Sequence, residues 1–276
     1  MTGPVWRAVE QVMGLPISVA LRGRHAATAE GTAAWERVVA DLRRVDRDFS
    51  SYRADSWVSR HNAGEDLPPA AGVDEVLALA EQACLESGGA FDVRRGNALD
   101  LDGVVKGWAV ERAARRLREL DGTDFCLSGG GDLTCWTADP DGSPWQIGIE
   151  HPLDPARLIA RVPVARGAVA TSGTAHRGAH IVDPRSGRVP NAAASVTVVG
   201  PDLTWADIDA TAAFAQGAGA VSWLRSRPGR NGLVVWADGR VETWAGPPPD
   251  RSTAPDDADP RRWVSPSRSS WPGRRP

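Results

Sequence analysis

Residues 168–211 read AVATSGTAHRGAHIVDPRSGRVPNAAASVTVVGPDLTWADIDAT. Small hydroxyl residues, a histidine and an acid lie here between apolar runs, the pattern of a rigid scaffold that presents polar groups at its turns. The stretch ends in a helix signal. Trp205 to Gln216 is Ala-rich and Gly217 follows it, which predicts a helix with a glycine stop. Asp207 and Thr211 are four residues apart, so both project from one helical face with Ala210 beside them. A carboxylate and a hydroxyl one turn apart are hard oxygen ligands suited to Mg²⁺. The same spacing is met by an acid that favours a helix N-terminus and a Thr on a solvated face.

Outward from this stretch, Trp6 to Leu21 reads as strand broken at Met13-Gly14. Ala26 to Val45, Val73 to Ser87 and Gly107 to Leu120 read as helices with apolar stripes. Asp55 reads as the cap of a short turn that ends at Asn62 and Gly64. Phe125 to Ser128 reads as a short strand, Leu133 to Trp136 and Trp145 to Ile149 as a hairpin around Asp-Pro-Asp-Gly, Ala218 to Arg225 as a helix, and Gly232 to Trp236 with Arg240 to Trp244 as a hairpin. Helices and strands mix without regular βαβ alternation, which predicts an α+β fold: mixed or antiparallel sheets with packed helices. Residues 1–246 form the expected domain. From Pro247 the composition turns to Pro, Arg, Ser and Asp, which predicts a disordered tail over residues 247–276.

The chain has 276 residues, a net charge of −3 and 42% apolar residues. That allows a sizeable core and gives no reason to expect nucleic acid as a partner. No apolar run is long enough to span a bilayer. Cys84, Cys126 and Cys135 form no CxxC pair, which points to buried thiols in a reducing compartment. The first residues, MTGPVWRAVEQVMG, lack a basic region followed by an apolar core. A cytoplasmic location is expected.

Further clusters are ambiguous by themselves. Asp100 to Gly107, with two acids, Gly103 and Lys106 at a helix start, suits a phosphate ligand or a plain surface turn. Ser128 to Asp132, SGGGD, permits close backbone approach but is neither GxGxxG nor a Walker loop. His180 beside Asp183 is a candidate general base or a structural histidine. There is no GxSxG nucleophile motif. Ala90-Phe91-Asp92 reads most simply as a core residue and a turn acid.

Taken in order, these clusters resemble the ApbE family of flavin transferases over about residues 6–245. The resemblance is carried by Met13-Gly14, FSSYRADSWVSRHN, GGAFD, DxxGxxKGWAVERA, SGGGD, PWQIGIEHP, ATSG, HIVDPRSG, SVTVVG and ADxxAT. It implies transfer of FMN from FAD to a Ser or Thr hydroxyl of a target flavoprotein, with release of AMP and with Mg²⁺. It implies Asp207 and Thr211 as side-chain metal ligands, with a backbone carbonyl from Gly103. Met13, Tyr52, Ala90, Phe91, Asp92, Asp100, Lys106, Ile181 and Ala210 fall where the family contacts FAD. His180 falls at the base for the acceptor hydroxyl, and Lys106 would supply fixed positive charge. Splitting FAD to FMN and AMP with water, or binding FAD without turnover, are the alternatives. The segment between Asp92 and Asp100 is short, and Ile208-Asp209 stands where Ala-Leu is usual. Asp209 reads as a metal ligand, a neighbour of the metal site, or an exposed acid.

Overall fold

The computed structural model describes residues 5–175, 178 and 181–248. His180 and the expected tail beyond Pro248 lie outside the described residues.

Strands β1 (Trp6–Val12) and β2 (Leu15–Gly23) pair across Met13-Gly14. Both turn residues have positive φ, 57° and 69°, as a tight two-residue hairpin requires. Helices α1 (Ala29–Phe49), α2 (Trp57–Asn62) and α3 (Val73–Glu86) follow. A small hairpin of β3 (Arg94–Arg95) and β4 (Ala98–Leu99) then leads into α4 (Asp102–Arg118). Next come β5 (Thr123–Gly129), β6 (Asp132–Trp136), β7 (Trp145–His151), β8 (Asp154–Val164), β9 (Gly167–Gly173) and β10 (Ala193–Gly200). The chain closes with α5 (Leu203–Gln216), the short α6 (Ala220–Leu224), β11 (Asn231–Trp236) and β12 (Val241–Ala245).

The main sheet has eight strands in the order β1-β2-β5-β6-β9-β10-β11-β12, and all its pairings are antiparallel. One face carries the helices over the larger core, where Ala168, Ala170, Val196 and Val198 meet α4 and α5 residues such as Val105 and Ile208. The opposite face is covered by the β7–β8 hairpin, with Ile147, Ile149 and Val162 against Cys135, Val169, Val199 and Leu233. This is the expected α+β arrangement. Strand β10 is buried along its whole length because both faces are covered. The cysteines are free thiols, and Cys126 faces Cys135 across β5–β6. Among the described residues no helix is long and apolar enough to cross a membrane.

Several expectations need correction. Ser56, not Asp55, caps α2 by accepting from the Ser59 N–H at 3.1 Å; Asp55 pairs with Arg53 at 2.9 Å. The expected β6–β7 hairpin does not form. Strand β6 is held between β5 and β9, which leaves it no free edge, so β7 leaves the main sheet and pairs with β8. Helix α4 starts at Asp102 rather than Gly107. Its glycines look like breakers by propensity, but packing overrides propensity. A Cβ on Gly107 would lie 2.8 Å from the Leu203 carbonyl oxygen and 2.9 Å from the Asp207 Cβ. The missing side chain is what lets α4 touch α5.

Propensity alone would make Gly107→Ala stabilising by about 1 kcal/mol. The close approach reverses the sign: we expect a loss of about 1–3 kcal/mol from overpacking, read as a lower urea midpoint at unchanged slope.

Candidate active site

Helix α4 lies over β5 and β6 and α5 over β9 and β10, and polar groups meet where the two helices touch. The helix register sets which α4 residues take part. Gly103, Gly107 and Glu111 recur at one-turn spacing. Glu111 accepts the Leu203 N–H at 2.9 Å, Gly107 lies against Leu203 and Asp207, and Gly103 lies one turn further toward the helix start. On α5, Leu203, Asp207 and Thr211 form the facing row. Asp202 caps the helix by accepting the Trp205 N–H at 2.9 Å. The strands obey their own period of two. Ala168 and Ala170 of β9 face the helices, so Ser172 does too, and its Oγ lies 3.0 Å from Thr211 Oγ1. Thr171 points the other way, to Thr197 at 3.0 Å.

Lys106 is the centre of the cluster. Its ammonium donates to Asp132 Oδ2 and lies 3.1 Å from Asp207 Oδ1. The Lys106 side chain is 20% exposed, those of Asp132 and Asp207 only 4% and 3%. Asp132 is fixed further by the Thr171 N–H, 2.8 Å from its Oδ1. Burial disfavours the Lys106 charge, but Asp207 and Asp132 outweigh it and raise its pKa. Burial pushes the Asp207 carboxyl up to about 6; Lys106 pulls it down and Asp132 pushes it up again. Above that pH one ammonium faces two carboxylates, a net of one negative charge. Such a cluster attracts a cation rather than a phosphate.

Asp207 Oδ2 is buried and makes no well-formed hydrogen bond among the described residues; the nearby backbone donor is the Gly107 N–H, which draws the Asp207 pKa down. A buried carboxylate oxygen without a well-formed hydrogen bond is costly, and a hard cation would satisfy it. The residues present therefore fit a metal of the Mg²⁺ type. Among the described residues no three His, Cys, Asp or Glu side chains group to hold a metal. A cation here would rest on one carboxylate with hydroxyl and carbonyl oxygens.

The other expected residues are spread around this centre. Ala90 and Phe91 are buried, and the Phe91 ring packs over Gly103, 3.2 Å from where a Cβ would stand. Ala210 is fully buried in the α5 core. Met13 and Ile181 are partly buried against the helical core. Asp92 accepts the Arg94 N–H at 2.8 Å, and Asp100 pairs with Arg95 at 3.7 Å. Tyr52 is 92% exposed and is not brought to Lys106 by any contact among the described residues. Asp209 is neither exposed nor turned to the cluster; it is buried between Arg227 at 3.1 Å and Arg230 at 2.9 Å. Sequence reading missed Asp132 and Ser172 as site residues. The signal was there: the acid that ends SGGGD, and the strand period through ATSG.

A model of the ApbE family matches residues 13–98 and 93–234. The chain belongs to the ApbE family. It is 28% identical to an FAD:protein FMN transferase of Haemophilus influenzae over 130 residues, 43% of this chain and 38% of that protein. A Vibrio cholerae FAD:protein FMN transferase is 28% identical over 238 residues, 64% of this chain and 71% of the relative. The chain thus spans well under two thirds of the Haemophilus relative's length. The crystal structure of the ApbE protein of Thermotoga maritima superposes with a TM-score of 0.76 at 21% identity, over 87% of this chain and 97% of that one. That likeness shows a shared fold.

The Asp202 carboxyl is pushed up from 3.8 to about 6, by burial first and also by Glu111 and Asp209, against the Trp205 N–H and Arg230. Between those values the folded chain holds a proton that the unfolded chain has released. Stability from this group is therefore lost as pH rises from about 4 to about 6. Asp202→Asn keeps an oxygen acceptor for the cap and removes the proton. Urea midpoints over pH 4–7 should fall less steeply in Asp202→Asn than in wild type; equal slopes would contradict the assignment.

Proposed function

We propose that this chain transfers FMN from FAD to a Ser or Thr hydroxyl of a target flavoprotein, releasing AMP with the help of Mg²⁺. The observation that carries the reading is the buried Asp207 carboxylate, with Oδ2 lacking a well-formed hydrogen bond and Oδ1 against Lys106. Asp207 and Thr211 would hold the metal, with the Gly103 carbonyl. Bound there, the metal supplies Lewis-acid neutralisation of the pyrophosphate. The role expected of Lys106 toward phosphate depends on that metal. Its charge is matched by two carboxylates in the free protein, so it does not by itself offer a phosphate a positive site.

The chain's own residues supply order. Ser172 holds the Thr211 hydroxyl at 3.0 Å, and Gly107 leaves room for the Asp207 carboxylate beside α4. Phe91 packs its ring against Gly103 at the start of α4. The reading assigns FAD contacts to Met13, Tyr52, Ala90, Phe91, Asp92, Asp100, Lys106, Ile181 and Ala210. The exposed Tyr52 ring is available to stack on an aromatic ligand. His180 is assigned the proton of the acceptor hydroxyl, a task suited to an imidazole. The nucleophile comes from the target, and positioning with charge neutralisation is what phosphoryl chemistry asks of the enzyme. The free thiols fit a reducing compartment, in keeping with a cytoplasmic target.

The test is AMP release from FAD and Mg²⁺, with and without an acceptor Ser/Thr peptide. Peptide-dependent AMP with FMN left on the peptide is the expected result. AMP and free FMN without peptide would make the chain a hydrolase, and FAD binding without AMP would make it a carrier. Asp207→Ala should lower metal-dependent turnover about a hundredfold or more; unchanged turnover would refute the assignment of Asp207.

A further inference from the structure

The acid of SGGGD has no role in the reading above, yet it is among the most constrained side chains of the site. We infer that Asp132 is a positioning residue that shares the Lys106 ammonium with Asp207, so that a divalent cation can take Lys106's place on Asp207 while Lys106 keeps a partner. The inference rests on the reading of Asp207 as a metal ligand.

The geometry is specific. The ammonium sits between two carboxylates, donating to Asp132 Oδ2 and lying 3.1 Å from Asp207 Oδ1. An ammonium and a metal ion compete for the same carboxylate. Left alone with Asp207, Lys106 would occupy it as an internal counter-ion and repel an incoming cation. Asp132 offers the alternative partner. Its backbone sets its direction: it opens β6 opposite Gly129, immediately after the Gly130-Gly131 turn, whose φ values are 62° and 100°. Thr171 of β9 donates its N–H to Asp132 Oδ1 at 2.8 Å, which leaves Oδ2 for Lys106. The next residue, Ser172, bonds Thr211. One strand segment thus fixes both Asp132 and the second side-chain ligand of the reading.

Charge makes the arrangement consequential. With Asp132 in place the cluster carries a net of one negative charge; without it, Lys106 and Asp207 cancel.

The experiment is Mn²⁺ binding to the full chain without FAD, followed by electron paramagnetic resonance of the free ion, at a pH above 7. Asp132→Asn should bind Mn²⁺ at least about tenfold more weakly than wild type. The double variant Asp132→Asn with Lys106→Met has again one net negative charge and no competitor, and it should return to wild-type affinity or better. Lys106→Met alone should bind more tightly than wild type, which serves if Asp132→Asn does not fold. A purely structural Asp132 would leave the double variant as weak as the single one, and that result would overturn the inference. So would wild-type affinity in Asp132→Asn, or weakened binding in Lys106→Met. If wild type binds no Mn²⁺, or Asp207→Asn binds as well as wild type, the reading of Asp207 fails, and the inference with it.

Discussion

The close crossing of α4 over α5 at Gly107 is the contact on which the site depends. A methyl group there would stand 2.8 Å from a backbone oxygen of α5, so a side chain would force the helices apart. That approach seats Leu203 under Glu111, puts Asp207 within reach of Lys106 and removes the carboxylate from water. Burial then does the chemical tuning. It raises the Asp207 pKa to about 6 and leaves one oxygen without a well-formed hydrogen bond. A surface Asp-Thr pair at the same spacing would have neither property.

The sheet contributes the other half. Alternation along β9 sends Ser172 to the helices and Thr171 to the far side, while the Thr171 backbone still reaches Asp132. The β7–β8 hairpin covers the far face and frees the helical face for the site. Helix α5, with alanine at five of its fourteen positions, is buried on nearly every side. Its small residues let the sheet and α4 both approach it. An isolated buried charge would be untenable here; the compensation comes from Lys106, and the remaining imbalance is what a cation would complete.

Much of this was legible in the chain. The ADIDAT run gave the helix and the one-turn spacing of Asp207 and Thr211, and motif order pointed to the ApbE family. The α+β class followed from the absence of βαβ alternation. Other features were not legible, for physical reasons. Helix propensity made Gly103 and Gly107 look like a boundary, whereas tertiary packing needs them inside α4. Charge spacing made Lys106 look free to meet phosphate, because its partner Asp132 is 26 residues away. Asp209 looked like a companion of Asp207, but residues two apart on a helix point to nearly opposite sides, and Asp209 faces Arg227 and Arg230. The β6–β7 hairpin failed because a good turn sequence cannot supply a free sheet edge.

The central claim is that the α4–α5 crossing is a cation site in which Lys106 stands in for the metal. The most direct measurement is a crystal structure of the chain soaked in Mn²⁺, with anomalous scattering used to locate the ion. The account predicts one strong peak bonded to Asp207 Oδ2 and Thr211 Oγ1, with Lys106 moved off Asp207 and still paired to Asp132. A peak elsewhere, or no peak with Lys106 unmoved between the two carboxylates, would contradict it.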